Sequence, residues 1–144
     1  MKSILVVCIG NICRSPMAQA MLAAALPGVE VTSAGTGAVI GAPADPTAQA
    51  LMNEHGLDIA AHRGRLVSMT MCQQADLILT MDEEQRRFIE KRYPFARGKV
   101  FRLAEAAKID IPDPYRRGRA AFEHAHRLIE AGVESWVGRI RKFD

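Results

Sequence analysis

The sequence predicts a single-domain α/β protein: a four-stranded parallel sheet with helices on both faces. Three observations carry this prediction. Short β-branched apolar runs alternate along the chain with helical patterns. The strands are apolar at consecutive rather than alternate positions, so both faces of the sheet must be covered. The 144 residues, 49% of them hydrophobic, suit one core, and no repeat, low-complexity tract or long linker divides them, so residues 1–144 are expected to be one domain.

The elements follow in order. "SILVVC" (3–8) reads as the first strand. After the loop comes a helix from Ser15 to Leu26, with Ser15 as its N-cap and Pro16 at its first position. "VEVTSA" (29–34) is the second strand, and the glycine-rich "GTGAVIGAPAD" leads to a second helix. That helix opens with the same cap-then-proline signal at Asp45 and Pro46, and Gly56 marks its end. "ADLILT" (75–80) is the third strand. "DEEQRRFIEKRY" reads as a helix, acidic at its start and basic at its end, which suits the helix dipole; Pro94 closes it. "KVFRL" (99–103) is the fourth strand, and the proline-punctuated "AEAAKIDIPDPYRRG" is irregular. A last helix runs from about Arg119 to Ile140, with Phe122, Ala125, Ile129, Val133, Trp136 and Ile140 on one face.

Composition excludes several classes. A mean hydropathy near zero and 24% charged residues describe a soluble globular chain. No apolar run approaches the roughly 18 residues of a membrane span, and the N-terminus lacks the apolar region and cleavage site of a signal peptide, so a cytoplasmic location is expected. Three cysteines are an odd count, unlike a secreted disulfide framework. Residues 1–60 hold two basic and four acidic side chains, whereas the remainder holds seventeen basic and twelve acidic. That asymmetry describes a solvated mixed surface or attraction to an acidic partner or phosphate. No aromatic-rich strand or helix-turn-helix pattern supports nucleic acid as a partner.

In parallel sheets ligands bind beyond the carboxyl ends of the strands. "CIGNICRS" (8–15) leaves the first strand and "IPDPYRRG" lies beyond the fourth, so both emerge on one edge. A loop between a strand and a helix N-terminus aims backbone N–H groups and the positive dipole end inward, and so can cradle an anion. Gly10 and Asn11 are residue types that tolerate left-handed backbone angles, and Arg14 can grip two phosphate oxygens. At the floor of such a nest Cys8 is favoured as thiolate, a nucleophile beneath the bound anion. A zinc clip lacks a second ligand pair, and a nucleotide P-loop would need a second glycine and a lysine.

These residues carry a resemblance. "VCIGNICRSPMAQA", "SAGT" after the second strand, "HG" at 55–56, "LTMD" at 79–82 and "DPY" at 113–115 resemble, in order and over essentially the whole chain, the low-molecular-weight protein tyrosine phosphatases. "GKVFRLAEAAKIDIPDPYRRGRAAFE" is similar to the bacterial branch linked to capsule and exopolysaccharide production, whose members act on phosphotyrosines of a membrane tyrosine autokinase. The resemblance implies the strand order 2-1-3-4 for the sheet, Cys8 as nucleophile, Arg14 as phosphate and transition-state ligand, and Asp113 as general acid and then base. It implies a phosphate loop of Ile9, Gly10, Asn11, Ile12, Cys13 and Ser15, held in shape by a polar network of Asn11, Ser15, Ser33 and His62, with Ser15 also placed to stabilise the Cys8 thiolate and Ile9 and Tyr115 as walls of the substrate cleft. No cofactor or metal is expected, because Arg14 and the loop amides supply the positive charge.

The chain departs from eukaryotic members of that family, which carry an aromatic residue in the loop after "SA" and often a second tyrosine after "DPY". Here stand "GTGAVIG" and Arg116, so the cleft is less aromatic and more basic. Cys13 is either a packed small residue or a disulfide partner for oxidised Cys8, a bridge that would shield the nucleophile from irreversible oxidation. Cys72 reads as structural, and His124 and His126 as surface or packing residues. Three other functions share the fold. Arsenate reductases need a relay of further cysteines, and only Cys72 lies outside the loop. The arginine-phosphatase branch carries threonine where Ile12 stands. A non-catalytic phosphate-binding module would have no use for both Cys8 and Asp113.

Overall fold

Alternation along the first strand decides which way the loop after it faces. In the computed structural model, which describes residues 1–143, β1 (Ser3–Cys8) is central and fully parallel to its neighbours. β2 (Glu30–Gly35) flanks it on one side, and β3 (Leu77–Thr80) on the other, followed by β4 (Val100–Arg102). The order is β2-β1-β3-β4, as predicted. Successive side chains of a strand point to opposite faces. Ile4, Val6 and Cys8 therefore join one core layer, and Leu5 and Val7 join the other.

The first layer is covered by α1 (Arg14–Ala25), α2 (Pro46–Glu54) and α5 (Arg119–Phe143). Met17 and Leu22 of α1, Met52 of α2 and Phe122, Ile129, Val133 and Trp136 of α5 meet there. All six apolar positions predicted for one face of the last helix are buried. The second layer is smaller, with Cys72 of α3 (Met69–Gln74) and Ile89 of α4 (Glu83–Arg92) packed on Leu5, Val7, Ile78 and Val100. Burial of such side chains at about 25 cal/mol per Å² of apolar area is what holds the layers on the sheet. Among the described residues no helix is long and apolar enough to cross a membrane.

Local signals explain most boundaries. Asp45 caps α2 by accepting from the Thr47 N–H at 2.8 Å, with Pro46 at the first helical position. Asp82 caps α4 through the Gln85 N–H, and Glu83, Glu84, Lys91 and Arg92 complement its dipole. Three expectations need correction. Ser15 is not the cap of α1: the helix starts at Arg14, Cys13 holds the cap position without a side-chain bond, and Pro16 is the third helical residue. The loop backbone turns directly into the helix, which frees the Ser15 hydroxyl for other work. β3 begins at Leu77 rather than Ala75, because α3 occupies the preceding residues. That helix has only six residues, too few for periodicity to show; its one sequence signal is Ser68, whose Oγ accepts from the Met71 N–H. Finally, "AEAAK" contains a short 3₁₀ turn, Glu105–Ala107.

Candidate active site

Residues 8–15 form a closed cradle because every carbonyl from Cys8 to Ile12 is turned outward. The Cys8 carbonyl accepts from Thr36 N–H, Ile9 from Gly37, Gly10 from Val39 and Ile12 from Asp45, all at 2.8–3.0 Å. The Asn11 carbonyl accepts from His62 Nε2–H at 2.6 Å. In a trans peptide the N–H opposes the C=O, so five outward carbonyls aim the following N–H groups inward. The Asn11 N–H shows this directly, lying 3.2 Å from Cys8 Sγ. The glycine-rich stretch from the end of β2 onward, residues 35–45, supplies four of the five outer donors, a role the sequence did not disclose.

The turn is made at one residue. Asn11 has φ 58°, in the left-handed region, whereas Gly10 is not left-handed. The expectation that both residues use that freedom is thus corrected. A Cβ on Gly10 would stand 3.7 Å from Ile12 and 3.9 Å from Val39, within ordinary contact. Sterics instead demand glycine at Gly35, where a Cβ would lie 2.3 Å from the Ile9 carbonyl oxygen, and at Gly64, where it would lie 2.3 Å from that of Val39.

Asn11 is fully buried and saturated. Its Nδ2 donates to Ser15 Oγ (2.8 Å) and Ser33 Oγ (3.0 Å), and its Oδ1 accepts from Arg65 N–H (2.9 Å). Ser33 in turn donates to Gln19 Oε1 (2.6 Å), and Arg65 Nε donates to the Ser33 carbonyl. Gln19 and Arg65 were not singled out from sequence. Ser15 Oγ sits 2.8 Å from Cys8 Sγ and receives the Asn11 amide, which leaves its own proton to donate to sulfur when Cys8 is a thiolate. Of the two histidines in "HGLDIAAHRGR", His62 is the one at the loop. Burial holds its pKa below the ordinary value, against the opposing pull of its bond to Asn11.

Arg14 is 2% exposed. Its NH1 donates to the Ile111 carbonyl at 2.8 Å and lies 3.8 Å from Asp82 Oδ2, while NH2 lies 3.9 Å from Asp113 Oδ2. Asp82 belongs to the "LTMD" stretch, and its nearness to Arg14 was not foreseen. Asp113 Oδ1 accepts from Tyr115 N–H at 3.1 Å, an Asx turn that leaves Oδ2 toward Arg14.

A cleft of about 220 Å³ opens above Cys8 and Arg14. Ile9 (47% exposed) and Val39 line one side, Tyr115 (43% exposed) and Asp113 another, and Ile12 and Cys13 complete the lining. Arg116 lies over the Tyr115 ring, 5.1 Å from its centroid. Burial, with the carboxylates of Asp45 and Asp113 next in weight, pushes the Cys13 thiol far up. Cys72 is buried in the opposite core layer, its thiol pushed up to about 11 mainly by desolvation. A wider groove of about 340 Å³ between α1 and residues 58–62 is lined by no cysteine or arginine. Among the described residues no cluster of three or more His, Cys, Asp or Glu side chains could hold a metal.

Comparison with known proteins agrees with this geometry. Residues 3–143 match the family model described as low molecular weight phosphotyrosine protein phosphatase. The chain is 55% identical over 140 residues to a probable low molecular weight protein-tyrosine-phosphatase, EpsP, of Ralstonia nicotianae, covering 97% of each. Its fold is similar to that of Vibrio vulnificus Wzb solved in complex with benzylphosphonate (TM-score 0.93, 38% identity, 96% of this chain and 98% of that one). It is also similar to the YwlE arginine phosphatase of Geobacillus stearothermophilus (TM-score 0.92, 33% identity, 99% and 94%). By sequence and by fold, the chain belongs to the low molecular weight phosphotyrosine protein phosphatase family, and is an enzyme of the protein-tyrosine-phosphatase class.

Proposed function

We propose that this enzyme hydrolyses phosphotyrosine in proteins through a phosphocysteine intermediate. The observation that carries the proposal is the inward N–H cradle with Cys8 at its floor and buried Arg14 at its rim. The Cys8 thiolate attacks phosphorus as the bond to the phenolic oxygen breaks. The loop N–H groups and Arg14 take the charge spreading over the equatorial oxygens. Asp113 gives its proton to the departing phenolate, and then accepts one from the water that cleaves the P–S bond. That second step releases inorganic phosphate and the thiolate, and Ser15 Oγ–H stabilises the returning sulfur.

The aromatic substrate class is supported by the cleft walls, Ile9 and Val39 with Tyr115, and by the benzylphosphonate in complex with the Vibrio relative. Ile12 lines the cleft without a hydroxyl, unlike the threonine of the arginine-phosphatase branch. Cys72 is too deeply buried, and on the wrong face, to relay a disulfide in an arsenate reductase. The physiological substrate is, on this reading, a bacterial membrane tyrosine autokinase, and the enzyme acts in the cytoplasm on exopolysaccharide or capsule production. Cys13 shares the cleft with Cys8 and is its partner in a protective disulfide after mild oxidation.

Wild type is expected to hydrolyse p-nitrophenyl phosphate in excess EDTA, and Cys8→Ser to be inactive. An inactive wild type, or preference for phosphoarginine over phosphotyrosine peptides, would overturn the proposal. Phosphoproteomics with an Asp113→Ala trapping variant tests the kinase assignment; capture of no tyrosine kinase would remove it. Mass spectrometry after mild peroxide tests the bridge, and Cys8 sulfonic acid without a Cys8–Cys13 link would rule it out.

A further inference from the structure

The loop that carries Asp113 is tied down at its root. Asp110 Oδ1 accepts two hydrogen bonds, from the Glu83 N–H and from Arg102 NH1, each 3.1 Å long. Glu83 is the first residue of α4, and the residue before it is Asp82, whose Oδ2 faces Arg14. One helical turn therefore touches both the phosphate-binding arginine and the root of the acid loop. Arg102 is itself fixed, since its Nε and NH2 lie 3.1 Å from Glu105 Oε2. The Trp136 Nε1–H also reaches the Arg102 carbonyl at 3.2 Å.

We infer that Asp110 is a positioning residue for the acid: by clamping the root of residues 110–115 to the start of α4, it sets where the Asp113 carboxyl stands relative to Arg14. The inference rests on the reading of Asp113 as the general acid. Between the clamp and that carboxyl lie only Ile111 and Pro112, and Pro114 follows. The pyrrolidine rings fix φ on both sides, so an orientation imposed at Asp110 reaches Asp113 through few free torsions. The Asp110 side chain is 54% exposed, so its charge attraction to Arg102 is weakened by solvent. The directional bond to an otherwise unpartnered helix N–H is the more specific contact. Ile111 competes for the same role, because its N–H bonds the Met81 carbonyl and its carbonyl receives Arg14. Those two bonds fix the position of the backbone at one residue. Asp110 adds a second fixed point, and two points define a direction.

The test compares kcat/KM for phenyl phosphate, a poor leaving group, with that for p-nitrophenyl phosphate, a good one. The variants are Asp110→Ala, Asp110→Asn and Asp113→Ala, with thermal unfolding as a folding control. Asp110→Ala is expected to lose about tenfold on phenyl phosphate and less than about twofold on the activated ester, because only the former needs a well-aimed proton. Asp110→Asn keeps an oxygen for the Glu83 N–H and is expected to restore most of the loss. Equal losses on both esters, or none, in a folded Asp110→Ala protein would overturn the clamp while leaving the acid in place. An Asp113→Ala variant without leaving-group bias would sink the acid assignment, and the clamp with it.

Discussion

Two loops face each other across the cleft, and they are built on opposite plans. Residues 8–15 are buried at Cys8, Asn11, Cys13, Arg14 and Ser15, and each carbonyl from Cys8 to Ile12 is committed to a named donor. Residues 110–115 are exposed at their tip and fastened only at their root, through Asp110, the backbone of Ile111 and two prolines. The difference fits the work proposed for each. An anion is bound best by dipoles that need no reorganisation, so the first loop is rigid. A proton donor has to let an aromatic ring in beside it, so the second is open and stiffened from within the chain.

Breaking the rigid half has the largest expected effect. Arg14→Ala is expected to lower kcat/KM on p-nitrophenyl phosphate by about a thousandfold. Arg14→Lys should recover little, since an ammonium cannot bond the Ile111 carbonyl and fork around phosphate oxygens together. A lysine variant near wild type would show that charge alone suffices.

Breaking the open half should cost less, and selectively. Asp113→Asn is expected to lose about a hundredfold on phenyl phosphate and much less on the p-nitro ester. Losses of equal size on the two would contradict the division of labour.

The support behind the rigid loop comes next. Asn11→Ala removes three buried hydrogen bonds and forces alanine to φ 58°; we expect about 2–3 kcal/mol of lost stability in urea unfolding. Asn11→Gly should be milder by roughly 1 kcal/mol, because glycine accepts the left-handed backbone. An alanine variant no worse than glycine would mean that the turn carries no strain.

The smallest effect lies away from the cleft. His126 is buried with its Nε2 unbonded, its ring stacked 4.2 Å from that of His55. Burial, and secondarily His55, hold its pKa below 6.5; Arg127 adds to this and Glu130 opposes it. The fold thus favours the neutral ring. Its stabilisation is fully present above the unfolded pKa and is lost as pH falls below it. Urea midpoints should drop between about pH 7.5 and 5.5, and His126→Phe should flatten part of that drop. An unchanged slope would place the acid sensitivity elsewhere.

How much of this was legible differs between the same two loops. The strands, most helices and the face of α5 follow from apolar runs and caps, which are local, whereas the strand order came with the family resemblance. Cys8 and Arg14 could be read from the strand-loop-helix context of "CIGNICRS". Asn11, Ser33 and His62 became a network only through family resemblance, because residues 11, 33 and 62 meet through tertiary packing. Ser15 was misread as a cap since its chemistry suits a cap equally well; its place beside the Cys8 sulfur came from the family resemblance, and in the fold the two atoms lie 2.8 Å apart. Asp82 was legible only as part of "LTMD" and as a helix start, and Asp110 only as loop polarity, because Arg14 and Glu83, which they face, lie 68 and 27 residues away in sequence.

The central claim is that phosphate passes through sulfur at the floor of the rigid loop. Rapid acid quench of the enzyme with a ³²P-labelled aryl phosphate, followed by peptide mapping, tests it most directly. The account predicts label on Cys8, with an Asp113→Asn protein holding it longer during turnover. Label on another residue, or burst-free turnover with no labelled protein at any quench time, would contradict it.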